Sequence, residues 1–90
     1  MITGKTVSGF SYTIDDDARD DMELFEGLLA LDNGDISTLA ATITALLGKE
    51  QKKALYDHCR NEKGRVSATR VFGELKEILN GAPEGSELKN

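Results

Sequence analysis

Residues 15–35, DDDARDDMELFEGLLALDNGD, constrain the fold of this chain more than any other stretch. The clustered aspartates end any preceding strand, because like charges and Asp itself disfavour extended pairing. Asp20 then reads as a helix N-cap, with Glu23 three positions on completing a capping-box pattern, and acids in a first turn suit the positive helix end. From Met22 the apolar positions are 22, 24, 25, 28, 29 and 31. At about 100° per residue they span roughly half the helix circumference, wider than packing on one neighbour requires. Gly34 offers the left-handed C′ residue that stops the helix. The expectation is a helix over 20–32, fed by a small β element and covered by later helices.

Residues 2–14 read as a β-hairpin. Lys5-Thr6-Val7 and Phe10-Ser11-Tyr12-Thr13-Ile14 are rich in β-branched and aromatic residues, with Ser8-Gly9 as a two-residue turn. Phe10, Tyr12 and Ile14 alternate with polar residues, so one face is apolar and needs a cover. The helix that follows is the obvious one. Downstream, Asp35 caps a helix over 36–47 with Ile36, Leu39, Ala40, Ile43, Leu46 and Leu47 on one stripe, and Gly48 stops it. A third helix over 50–61 is the most polar, with only Ala54, Leu55, Tyr56 and Cys59 apolar and Lys53 spaced to pair with Asp57, so it reads as peripheral. Glu62-Lys63-Gly64-Arg65 is a turn, and Ser67 caps a fourth helix over 68–80 with Ala68, Val71, Phe72, Leu75, Ile78 and Leu79 in one stripe. Gly81 and Pro83 end it, and residues 82–90 read as a mobile tail. The fold class is α+β and mostly α: one domain over 1–81, a hairpin followed by a compact bundle of about four short helices.

Ninety residues support one core but no deep cleft, since such a chain buries about 60–65% of its unfolded surface. The net charge of −5 is unevenly spread: residues 1–36 carry −7 and residues 37–90 carry +2. That polarity suits head-to-tail association or a partner with a basic patch, and it disfavours binding to nucleic acid backbones. A single cysteine, Cys59, excludes an internal disulfide and fits a reducing cytoplasm. The N-terminus lacks the pattern of a signal peptide, and no apolar run approaches the roughly 20 residues that span a bilayer.

No constellation for catalysis emerges. His58 and Cys59 are adjacent, and helical neighbours point about 100° apart, so they cannot work as a nucleophile pair. Cys59 belongs below Leu55 on the buried face, with His58 at its edge. His58 and Glu62 have the right spacing for a metal but lack the further ligands of a zinc set. Counted from Asp15, a calcium loop needs Gly at its sixth place, where Asp20 stands. The fourth helix carries only Arg70 and Lys76 as bases beside Glu74 and Glu77, not the basic stripe of a DNA reader. The residues predict an interaction protein, not an enzyme, with no cofactor, metal, small-molecule substrate, nucleic acid or membrane partner.

Several short signatures occur in order along nearly the whole chain. They are Val7-Ser8-Gly9-Phe10 with Ile14-Asp15, Asp20-Asp21-Met22-Glu23-Leu24, Leu46-Leu47-Gly48-Lys49-Glu50-Gln51, and Asp57-His58-Cys59-Arg60-Asn61-Glu62 with Gly64-Arg65-Val66. A closing amphipathic helix and a Lys89-Asn90 end complete the set. Together they resemble the tail assembly chaperones, small proteins from the tail-gene region of long-tailed bacteriophages and prophages of Gram-positive hosts. Ser67 departs from that pattern, where proline is expected, but either residue suits a helix start.

The resemblance implies a cytoplasmic protein that binds the tape-measure protein, a long helical chain, and keeps it soluble until tail-tube subunits polymerise around it. The surplus arc of the first helix (Met22, Leu24, Phe25, Leu28, Leu29, Leu31) is the candidate partner surface, with Asp16, Asp17, Asp21 and Glu26 as an acidic rim for steering. That arc is either consumed in the core or free to dock a client helix. Two other interaction roles stay open: a DNA mimic that inhibits a host protein through Asp15, Asp16, Asp17, Asp20 and Asp21, and a virion component that self-assembles into a homo-oligomer.

Overall fold

The structure is a computed structural model that describes residues 1–81; the tail expected over 82–90 lies outside the described residues. Two strands, β1 (Ile2–Lys5) and β2 (Ser11–Ile14), pair antiparallel with Ile2 opposite Ile14 and Lys5 opposite Ser11. The hairpin is where expected, but its loop is longer than the predicted two residues. Thr6 N–H donates to the Phe10 carbonyl and Gly9 N–H to the Thr6 carbonyl, both at 2.9 Å, leaving Val7, Ser8 and Gly9 as a three-residue loop. Gly9 at φ 101° takes the left-handed end position that such loops require. Val7 is therefore a loop residue, 94% exposed, rather than part of a strand. Phe10, Tyr12 and Ile14 are all buried, as their alternation predicts.

A 3-10 turn over Asp16–Asp20 follows the strand, and α1 runs Met22–Asp32. The cap is Asp21, not Asp20: its carboxylate accepts the N–H groups of Glu23 (2.9 Å) and Leu24 (3.2 Å). Asp20 instead ends the 3-10 turn, which tightens the chain by one residue before the helix starts. At the other end, Asp35 N–H bonds to the Ala30 carbonyl and Gly34 N–H to that of Leu31, the paired reverse bonds of a Schellman motif. Gly34 is the C′ residue the sequence predicts.

The next two expected helices are one element, α2 (Leu39–His58), broken at Gly48. Gly48 adopts φ 85° and ψ 164°, a conformation essentially restricted to glycine, so the stop signal acts as a bend and the chain resumes helix at once. The first half begins at Leu39 rather than Ile36. Asp35 caps only a turn, accepting from Ser37 N–H at 2.9 Å, and Ile36 is left 58% exposed. Asn61 organises the turn after α2 by accepting from the N–H groups of Lys63 and Arg65. Ser67 Oγ accepts from Arg70 N–H at 3.2 Å, capping α3 (Ala68–Gly81) as predicted. Among the described residues there are thus three helical elements, α2 being two helical segments joined at Gly48, and the fold is a small, mostly helical α+β structure.

The packing order also differs from expectation. The hairpin is covered by α2, which packs on β2, and by α3, which packs on β1; α1 lies against α2. Gly27 makes the α1–α2 approach possible, because a Cβ there would overlap the Thr42 hydroxyl. The core joins Phe10, Tyr12 and Ile14 to Leu24, Ile43, Leu46, Leu47, Leu55, Cys59, Val71, Leu75 and Ile78. Ile43, Leu55, Ile78 and Cys59 are its most enclosed side chains. Two of these four, Leu55 and Cys59, fall in the 50–61 segment expected to be peripheral, so that segment reaches the centre.

Candidate functional site

The apolar arc of α1 divides among three environments. Leu24 is 4% exposed and belongs to the core. Met22, 65% exposed, borders a polar cleft near the N-terminus. Phe25, Leu28, Leu29 and Leu31 form one wall of a groove of about 900 Å³, whose other wall is Phe72, Leu75 and Leu79 of α3. Along α1 the core-facing positions are Leu24, Gly27, Leu28 and Leu31, and the arc spills past them to Phe25 and Leu29, further round the wheel. Phe25 and Leu29 are 46% and 63% exposed, and Phe72 and Leu79 are also open to solvent. The groove therefore presents aromatic and aliphatic side chains from two helices, with no helix between them among the described residues.

The α3 wall was not foreseen, because Phe72 and Leu79 sit within a stripe that reads as wholly buried. On the helical wheel they hold one flank of the stripe, next to Lys76, with Leu75 at its centre and Val71 and Ile78 on the other flank; the stripe alone does not say which flank stays open. The acidic rim does not assemble around the groove. Asp32 and Lys76 are the charged residues that line it. Asp17 and Asp21 face the polar cleft, Asp16 pairs with the α-amino group at 2.6 Å, and Glu26 borders a shallow depression beside Gly27 and Thr42. That pairing with the amino terminus holds the Asp16 carboxyl below the usual carboxylate range.

His58 and Cys59 part company as predicted, Cys59 buried and His58 exposed. Burial pushes the Cys59 thiol up, with Glu74 adding to the effect and Arg70 opposing it, so the thiolate is disfavoured. His58 has a partner the sequence did not reveal: its Nε2 lies 2.9 Å from Ser8 Oγ, and Ser8 Oγ donates to Glu74 Oε2 at 2.6 Å. A serine, an imidazole and a carboxylate are thus in contact, but in the wrong order for nucleophilic catalysis. The carboxylate binds the serine and not the far nitrogen of the imidazole, so nothing orients His58 as a base. Ser8 has one proton, and with it committed to Glu74, Nε2 must be the donor in the His58 contact. Nε2 is then no acceptor for the serine proton.

The cluster is a clasp. Val7 N–H also donates to Glu77 Oε2 at 2.7 Å, and His58 stacks at a tilt on Phe10, so the hairpin loop is tied to α3 and to the end of α2. Among the described residues no group of three His, Cys, Asp or Glu side chains could hold a metal ion, and no helix is long and apolar enough to cross a membrane. Comparison with protein families, with characterised proteins and with solved structures finds no match.

Proposed function

We propose that this chain is a non-enzymatic binding protein that seats an amphipathic helix of a client in the groove between α1 and α3, and that the client is a bacteriophage tape-measure protein. The observation that carries the reading is the open groove itself, walled by Phe25, Leu28, Leu29, Leu31, Phe72, Leu75 and Leu79. Apolar walls on two helices accept a third helix with anchors at i, i+3 or i+4, and i+7. Asp32 lines the groove from α1 and Lys76 from α3, so it favours a client helix with a base toward α1 and an acid toward α3. The identity of the client comes from the resemblance to tail assembly chaperones. Covering the apolar face of a long helical chain keeps it soluble, and a shallow, half-exposed groove lets it go when tube subunits take over that face.

Co-expression tests the reading. A tape-measure protein expressed alone should be largely insoluble and should become soluble with this chain. The pair Phe25→Glu and Leu29→Glu should abolish that rescue while the far-ultraviolet circular dichroism stays unchanged, because both side chains are already exposed. Client solubility that ignores the wild-type chain rejects the chaperone reading. Rescue that survives both substitutions rejects the groove.

A further inference from the structure

A second concave surface lies on α2, beyond the bend at Gly48. Thr44, Lys49, Lys52, Lys53, Tyr56, Asp57 and Arg60 line a depression of about 410 Å³. Four bases, Lys49, Lys52, Lys53 and Arg60, meet there against one acid, so the depression is net positive. Asp57 is the acid facing this surface, and it is engaged by Arg60 at 3.0 Å and Lys53 at 3.8 Å. Lys52 sits over the Tyr56 ring, 5.5 Å from its centroid, and among the described residues neither it nor Lys49 has a carboxylate within ion-pair distance.

The polar cleft near the N-terminus, about 820 Å³, is lined by Asp15, Asp17, Asp20 and Asp21. Thr44 borders both this cleft and the basic one, so the two adjoin there. A surface with positive and negative halves side by side is complementary to itself. Rotating a second copy by a half turn about the ridge between them lays each acidic half on the partner's basic half, and the contact is made twice. A head-to-tail arrangement would match only one half of the surface at each contact.

We propose that the basic surface of α2 docks the aspartate cleft of a second copy of this chain, giving a two-fold symmetric dimer centred on the ridge at Thr44. The two surfaces are largely charged, so the dimer is a weak, salt-sensitive one rather than an obligate one. It leaves the α1–α3 groove uncovered, and the proposal stands independently of what that groove binds.

Sedimentation of the full chain tests it. In low salt at rising concentration the mass should climb from the 9.8 kDa of one chain to twice that and stop, and 0.5 M salt should return it to one chain. The double reversal Lys49→Glu with Lys52→Glu, and separately Asp17→Lys with Asp20→Lys, should each give monomers with wild-type circular dichroism. Mixing the two variants should restore a dimer, because one then carries two acidic halves and the other two basic halves. Phe25→Glu should leave dimerisation intact, which separates this surface from the groove. A strict monomer at the highest concentration in low salt overturns the proposal. So does association that ignores the charge reversals, or growth beyond two copies.

Discussion

The helix α1 and the part of α2 after Gly48 are of similar length, and they bury different things. The first runs MELFEGLLALD and holds six large apolar side chains, of which only Leu24 is fully enclosed. The second runs KEQKKALYDH and holds two, yet Leu55 is 0% exposed and Cys59, capping its end, is 1% exposed. Position in the stack explains the inversion. α2 lies between α1, β2 and α3, so even a narrow apolar stripe on it meets side chains from several elements. α1 packs mainly on one neighbour, so an arc of half a circumference cannot all be covered. Apolar content says how much a helix could bury; its number of neighbours says how much it does.

The largest test of this contrast is a pair of truncations. Leu55→Ala should cost about 2–5 kcal/mol in urea unfolding, because it opens a cavity at the centre of the core. Leu29→Ala should stay within about 0.5 kcal/mol, as for exposed sites generally. Equal costs would remove the distinction between the two helices. Phe25→Ala belongs nearer Leu29, well below the about 3–5 kcal/mol of a buried phenylalanine.

The contact between α1 and α2 comes next. Gly27→Ala forces a methyl against the Thr42 hydroxyl and should cost about 1–3 kcal/mol, with Thr42→Ala in the same chain recovering part of it. A neutral Gly27→Ala would mean that α1 sits more loosely than described. Smaller again is the cap: Asp21→Ala should lose about 1 kcal/mol and Asp20→Ala almost nothing, read by thermal unfolding of the two variants side by side.

The smallest effect concerns the entry to α2. The Ser37 backbone N–H holds the Asp35 carboxyl below the usual carboxylate range. A depressed folded value contributes stability above the unfolded carboxylate value near about 3.9, and that contribution is lost as pH falls through the lower folded value. An NMR titration should place the Asp35 midpoint below that of a flexible aspartate, and Ser37→Pro, which removes the donor, should bring it back.

Most of the local punctuation was legible. The alternation of Phe10, Tyr12 and Ile14, the C′ glycine at 34, the bend at Gly48 and the cap at Ser67 are all readable because each depends on a few consecutive residues. The errors share a cause. Asp20 and Asp21 offer the same carboxylate, and only the 3-10 turn over Asp16–Asp20 decides which of them meets the free N–H groups. Asp35 was expected to start α2 at Ile36, but it caps only a turn and the helix begins at Leu39. The groove was half legible: its α1 wall followed from surplus apolar arc, whereas its α3 wall needed the placement of α3. The clasp of Ser8, His58 and Glu74 joins residues 50 and 66 positions apart, and no spacing rule could have linked them.

The sequence by itself determined where strands, turns and helices begin and end to within a few residues, and that the acidic and basic charges lie apart along the chain. Only the tertiary structure decided that α2 and not α1 is the central element, that Phe72 and Leu79 face the groove, and that the acidic and basic clefts are neighbours at Thr44. The physical reason is one of range. Capping, turn formation and periodicity are set by bonds a few residues long, whereas burial depends on how many elements converge on a site.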